Sequence, residues 1–209
     1  MKQLVRNSAG ILAALPLLAP CVPLHGNAIK DITQALAAPV AVTLQGKSID
    51  ISQTPGWKVV YFWSSTCPCV KACERYSFIP LENAYAGRVT FYAVSSDGYD
   101  LNLPRPTLTN EILSHHLPYT VLLDTNHTVA LYYKPEVTPE TFLIDPHGQV
   151  VFHGMPDDSR RYLFHEISAT DRKSHPVPET YLSKALAEAF AGKPITQPPI
   201  KDEGCIVAW

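Results

Sequence analysis

Three cysteines, Cys67, Cys69 and Cys73, fall within seven positions in the stretch TCPCVKAC. Thiols this close together can exchange disulfides, hold a soft metal ion or crosslink the chain, and their spacing alone leaves all three open. What separates them is where each one sits. The run GWKVVYFW just before them is continuously apolar, of strand length and rich in β-branched and aromatic residues, which predicts a strand buried on both faces. The cysteine segment then runs into RYSFIPLENAYAG, with helical spacing through Tyr76, Leu81, Ala84 and Tyr85, a stop at Gly87 and a kink expected at Pro80.

Cys67 therefore stands where strand becomes helix, and Pro68 suits the first helical position. A helix N-terminus offers unpaired N–H groups and partial positive charge, which favour the nucleophilic thiolate. This makes Cys67 the best-placed nucleophile, with Lys71 and Arg75 as screened, modest helpers. Ser64 and Thr66 are placed either to donate hydrogen bonds near the thiolate or to cap the helix, with capping by Thr66 favoured. Cys69 and Cys73 are four apart and share a helix face. Cys67 and Cys73 are about 9 Å apart along a helix axis and meet only on local unwinding.

The rest of the chain supplies a frame. Val40–Ile51 alternates around Gly46 as a hairpin, Arg88–Val94 is a strand, and the segment PTLTNEILSHHL reads as a helix with a Thr or Asn cap. A strand YTVLLD and a short helix HTVALYY follow. Thr141–Asp145 and Gln149–His153 pair across the turn Pro146-His147-Gly148. After an irregular stretch, ETYLSKALAEAFAG is an amphipathic helix with Tyr181, Leu182, Ala185, Leu186, Ala189 and Phe190 on one face. Strands alternating with helices and a late hairpin predict an α/β fold with a mixed central sheet, helices on both faces and an N-terminal hairpin.

The 209 residues, 46% hydrophobic and 17% charged, suit one domain with a substantial core. A net charge of −2 and scattered Lys and Arg give no footprint for nucleic acid or an anionic membrane. Residues 1–28 follow the order of a secretory signal peptide: Lys2 and Arg6, an apolar run broken by Pro16 and Pro20, then Gly26-Asn27-Ala28. The expected location is periplasmic or secreted, with no membrane contact after cleavage. A lipid-modified Cys21 fits poorly, because Pro20 precedes it. Export leaves Cys67, Cys69, Cys73 and Cys205, an even number in a disulfide-permissive compartment.

Taken in order, these motifs resemble the thioredoxin-like redoxins, the AhpC/TSA-type group that includes peroxiredoxins and periplasmic thiol–disulfide oxidoreductases. VVYFWSSTC puts a cysteine at the end of a buried strand, VTPETFLIDPHGQVVFHG is similar to the family's Thr-Pro segment and final hairpin, and YLSKALAEAFAGKP with GCIVAW is similar to the closing helix and Gly-Cys tail of a bacterial subgroup. The resemblance covers Ala38 to Trp209, and implies a redoxin domain at 38–192 and an extended tail at 193–209 that carries Cys205. It implies a cis Thr138–Pro139 bond facing Cys67, with Pro139 presenting backbone groups to an incoming chain and Thr138 beside it. Two departures stand out: Val70 occupies the place of thioredoxin's second Cys, and Val60 that of the peroxiredoxin Pro, although Ser64 keeps the hydroxyl position.

The resemblance implies a thiol-dependent oxidoreductase in which Cys67 attacks a protein disulfide or a peroxide and an external thiol reductant closes the cycle. Cys69 and Cys205 rank as resolving partners, with Cys73 next, and neither of the first two is preferred. No cofactor is expected. Copper chaperones of the same fold suggest an alternative, a Cu(I) site on Cys67, Cys69 and Cys73. A third possibility is a binding module with static disulfides. No metal ligand is assigned, and most of the eight histidines, which include His115, His116, His127, His147 and His153, are expected in loops or edge strands without a metal role.

Overall fold

The computed structural model describes residues 37–163, 178–199 and 203–207; the leader expected over residues 1–28 lies outside them. The hairpin is strands β1 (Val40–Thr43) and β2 (Ser48–Asp50). Then come β3 (Trp57–Phe62), a helical run beginning with α1 (Pro68–Cys73) and ending with α2 (Ile79–Tyr85), and β4 (Val89–Ser95). Helices α3 (Gly98–Asn102) and α4 (Arg105–Ser114) lead to β5 (Thr120–Leu123) and α5 (Thr128–Tyr133). The two-residue β6 (Val137–Thr138) precedes the hairpin β7 (Thr141–Ile144) and β8 (Val150–Gly154). The described remainder is α6 (Ser159–Leu163), α7 (Tyr181–Phe190) and β9 (Cys205–Ile206).

Seven strands form one sheet in the order β2-β1-β5-β4-β3-β7-β8. β3, β4 and β5 run parallel, and β1 and β7 flank them antiparallel. The continuous apolar reading of β3 has a direct cause here. Val59 and Tyr61 point into one core with α1, α4 and α7, while Val60 and Phe62 point into a second core with α5, all four fully buried. A strand covered on both faces has no polar side to show, so its alternation disappears from the sequence. The expected mixed sheet with helices on both faces and an N-terminal hairpin is what forms.

Three local expectations are corrected. At Pro80 the helix does not simply kink: Glu74–Phe78 widens into a π turn, closed by Ile79 N–H donating to Glu74 O. Proline lacks the N–H for an i−4 bond and crowds the preceding turn, and the wider turn accommodates both defects. Helix α4 has Pro104, not Thr or Asn, at its N-cap, with Pro106 in the first turn where an N–H would be orphaned anyway. On α7, Tyr181, Leu182, Ala185 and Leu186 are buried, but Phe190 is 40% exposed and lies over Trp57 and Tyr85 at the rim.

No helix among the described residues is long and apolar enough to cross a membrane. Leu182, fully buried on α7, fastens that helix to the core face that backs α1. Leu182→Ala is expected to destabilise the domain by about 2–5 kcal/mol, read as a lower urea midpoint with an unchanged slope.

Candidate functional site

Cys67 is the N-cap of α1, in extended backbone (φ −76°, ψ 116°), with Pro68 in the first turn. Its side chain is 2% exposed and forms a disulfide with Cys205, the Cα atoms 6.2 Å apart. Cys205 lies in the described segment 203–207, which also builds structure. Strand β9 pairs antiparallel with β6, matching Cys205 to Thr138 and Ile206 to Val137. Thr138–Pro139 is cis, and the Thr138 carbonyl oxygen lies 3.4 Å from Cys67 Sγ. Thr138 Oγ1 donates to the Cys205 carbonyl at 3.4 Å. Cys67, Pro68, Thr138, Pro139 and Cys205 are thus brought into one place.

Cys69 is buried in the first turn of α1, and its Sγ lies within 4.8 Å of both disulfide sulfurs. Cys73 is in a different environment. Its thiol donates to Asp157 Oδ1 at 3.2 Å and lies 3.3 Å from Ser159 Oγ. Asp157 is fully buried, also accepts from Ser77 Oγ and Ser159 N–H, and leads into α6. Burial first, and the Asp157 charge second, push the Cys73 thiol well above its ordinary range. The three-sulfur group is therefore Cys67, Cys69 and Cys205, and not the Cys67–Cys69–Cys73 set suggested by sequence proximity. Helical spacing predicts Cys69 and Cys73 on one face but does not show that Cys73 bonds to Asp157.

One further expectation shifts. Thr66 does not cap α1, because the chain reaches the cap position one residue later; its hydroxyl is instead 3.3 Å from Ser64 Oγ. His115, in the turn after α4, makes a structural contact: its side chain is 2% exposed, and Nδ1 lies 2.7 Å from Glu74 Oε2. Glu74 also accepts from Trp63 Nε1 at 2.8 Å, and the Trp63 and His115 rings meet edge to face at 5.1 Å. This ties the residue after β3 to the helical run that Cys67 opens.

The loop between β3 and α1 is held by a third carboxylate. Asp100, fully buried in α3, accepts the Ser65 backbone N–H at 3.0 Å and the Ser65 and Ser95 hydroxyls. Burial raises its pKa, and the Ser65 bonds act against that rise. A fourth, Glu140, stands beside Pro139 and is 1% exposed; it accepts Glu136 N–H at 2.7 Å, Val137 N–H at 3.3 Å and a contact from His153 Nε2. Each acid fixes one wall of the site, and none carries a motif that reading the sequence would isolate.

Residues 26–153, more than half of the chain, match the AhpC/TSA family. The chain belongs to the AhpC/TSA family. A thiol:disulfide interchange protein DsbE homologue from Paracoccus denitrificans is 30% identical over 130 residues, 58% of this chain and 67% of that one. Among solved structures, a conserved uncharacterised protein from Geobacillus kaustophilus superposes with a TM-score of 0.64 at 20% identity, over 83% of this chain and 89% of that one. A hypothetical protein from Sinorhizobium meliloti gives 0.65 at 22%, over 83% and 91%. These likenesses establish the thioredoxin-like fold of this AhpC/TSA member.

The Cys73 environment makes a pH-dependent expectation. A thiol whose pKa is raised stays protonated through the range in which an ordinary cysteine ionises. In the reduced native protein, iodoacetamide should label Cys73 at less than roughly a tenth of its rate in the urea-unfolded chain, up to about pH 9. Peptide mass spectrometry of the labelled sites reads this directly.

Proposed function

We propose that this AhpC/TSA protein is an exported thiol–disulfide oxidoreductase in which Cys67 is the attacking thiol and Cys205 resolves it. The observation that carries the reading is the Cys67–Cys205 disulfide seated against the cis Thr138–Pro139 segment. In the reduced protein the Cys67 thiolate lies at the start of the helical run Pro68–Tyr85, whose first N–H groups favour the anion. It attacks one sulfur of a substrate disulfide, the other sulfur leaves as a thiolate, and a mixed disulfide forms. Cys205 then attacks Cys67 Sγ and releases the substrate as a dithiol. An external thiol reductant returns the Cys67–Cys205 pair to two thiols.

Protein disulfides are favoured over peroxides as substrate. The peroxidase pattern is broken at Val60, and the partner of Cys67 lies in an extended polypeptide paired to a strand edge. Similarity to a thiol:disulfide interchange protein supports the same choice, as it does a periplasmic or secreted location. Ser64 and Thr66 line the approach to Cys67, and Cys73 is kept as a structural thiol by Asp157.

Cys67→Ser should abolish insulin reduction by the full-length protein. Cys205→Ser should leave the first attack intact and accumulate a mixed disulfide with substrate, reducing turnover by at least about tenfold. Turnover that persists in Cys67→Ser removes that thiol from the mechanism. Peroxide consumption faster than insulin reduction replaces exchange with peroxidase chemistry.

A second reading rests on the three-sulfur cluster. When reduced, Cys67, Cys69 and Cys205 are arranged as a thiolate set that suits Cu(I). If so, the reduced protein takes up one Cu(I) from a bicinchoninate competitor, Cys69→Ser loses it and Cys73→Ser keeps it. Equal loss in both variants returns the metal reading to the sequence-adjacent set.

A further inference from the structure

β6 is two residues long, and among the described residues its ladder partner is the tail strand β9. A strand edge accepts one partner at a time, because each N–H and C=O it presents pairs once across that edge. The edge beside Cys67 is therefore already filled, and by a chain segment carrying a cysteine bonded to Cys67. We propose that the tail is a resident copy of the substrate: the protein acts on extended segments with glycine just before the reactive cysteine and an apolar residue two positions after it. The tail occupies the same edge and displaces them after reaction. This rests on the reading of Cys67 as the attacking thiol.

The sequence preference follows from how each tail residue fits. Gly204 precedes Cys205, and a Cβ built there runs into the Thr138 carbonyl and comes within 3.1 Å of Val137 Cβ. Its backbone is not in the left-handed region, so space and not conformation demands glycine. The two residues before Thr138 are held by Glu140, which accepts Glu136 N–H and Val137 N–H, and this limits how far the Thr138 main chain can shift. Ile206 is 83% exposed, so the position after the cysteine is open to any residue. Val207 is 9% exposed and its N–H donates to Glu136 O at 3.3 Å, so the next position is apolar and continues the ladder. Strand addition of this kind draws affinity from main-chain bonds and selectivity from alternate side chains.

The same fit joins chemistry to release. When Cys67 holds a substrate cysteine in a mixed disulfide, the substrate's strand lies on β6 and the tail is off it. Attack by the Cys205 thiolate on Cys67 Sγ forms the internal disulfide and expels the substrate cysteine as a thiolate, which takes a proton from solvent. The substrate disulfide gains two electrons and the two protein thiols lose them. Since β9 needs the edge that the substrate held, the bond exchange and the strand exchange proceed together.

The test uses reduced full-length Cys205→Ser protein and the pentapeptide Glu-Gly-Cys-Ile-Val, its thiol carried as a disulfide to nitrothiobenzoate. Released nitrothiobenzoate is followed by stopped-flow absorbance. The same peptide with alanine before its cysteine should react at least about tenfold more slowly, the scale of a methyl group forced into filled space. Ellman's reagent, which has no strand to dock, reports the intrinsic reactivity of Cys67. Equal rates for the two peptides, with Ellman's reagent consumed normally, overturn the inference. No reaction with any of the three, and no adduct on Cys67, refutes the attacking-thiol reading itself and the inference with it. A second arm examines the tail directly. Gly204→Ala in the otherwise unaltered chain should slow formation of the Cys67–Cys205 disulfide by oxidised glutathione at least about tenfold, by the same steric argument. An unchanged rate shows that the tail does not need to seat on β6 and contradicts the proposal.

Discussion

The site depends on a pairing of two residues with two. Val137 and Thr138 offer a strand edge just where β3 delivers Cys67, and the tail residues Cys205 and Ile206 take it. Without that ladder, Cys205 is a cysteine near a chain end, 138 residues away in sequence from the thiol it meets. With it, the two sulfurs are brought into bonding range by main-chain hydrogen bonds that do not depend on which side chains the tail carries. The geometric demand falls on Gly204, where the two backbones come closest.

A short strand can hold such a position only if its own ends are fixed. Buried carboxylates do this throughout the site. Glu140 holds the approach to Thr138, Asp100 holds the loop before Cys67, Glu74 ties Trp63 to His115, and Asp157 clamps Cys73. Burying an acid costs stability unless donors surround it, and each of these accepts at least two. Substituting an apolar side chain for one of them would leave those donors unpaired in the interior. The acids also help give three neighbouring thiols different surroundings. Cys73 donates to the Asp157 carboxylate, while Cys69 lies beside the disulfide.

Local pattern carried much of this and long-range polar contact carried the rest. The apolar run through Phe62, the Pro at position 68 and the turn at Gly148 each act within a few residues, so the strand, the helix start and the hairpin could be read directly. The cis bond at Pro139 came from resemblance, because its flanking residues match a known segment. In contrast, Asp100 is 35 positions from Ser65, Glu74 is 41 from His115, and Cys73 is 84 from Asp157. Contacts at such separations leave no periodicity behind them. The π turn before Pro80 escaped for another reason: a proline shows that the regular bond is lost without showing how the turn rearranges. The ladder between β6 and β9 combines both problems, being short, distant and made of main chain.

The most direct measurement is disulfide mapping by peptide mass spectrometry across a graded series of glutathione redox buffers. The expected result is one two-electron transition in which a crosslinked peptide joins Cys67 to Cys205, with Cys69 and Cys73 recovered as thiols on both sides of it. A crosslink from Cys67 to Cys69 or Cys73 as the main oxidised species, or a Cys67–Cys205 bond that stays unreduced across the whole series, contradicts the exchange of these two thiols.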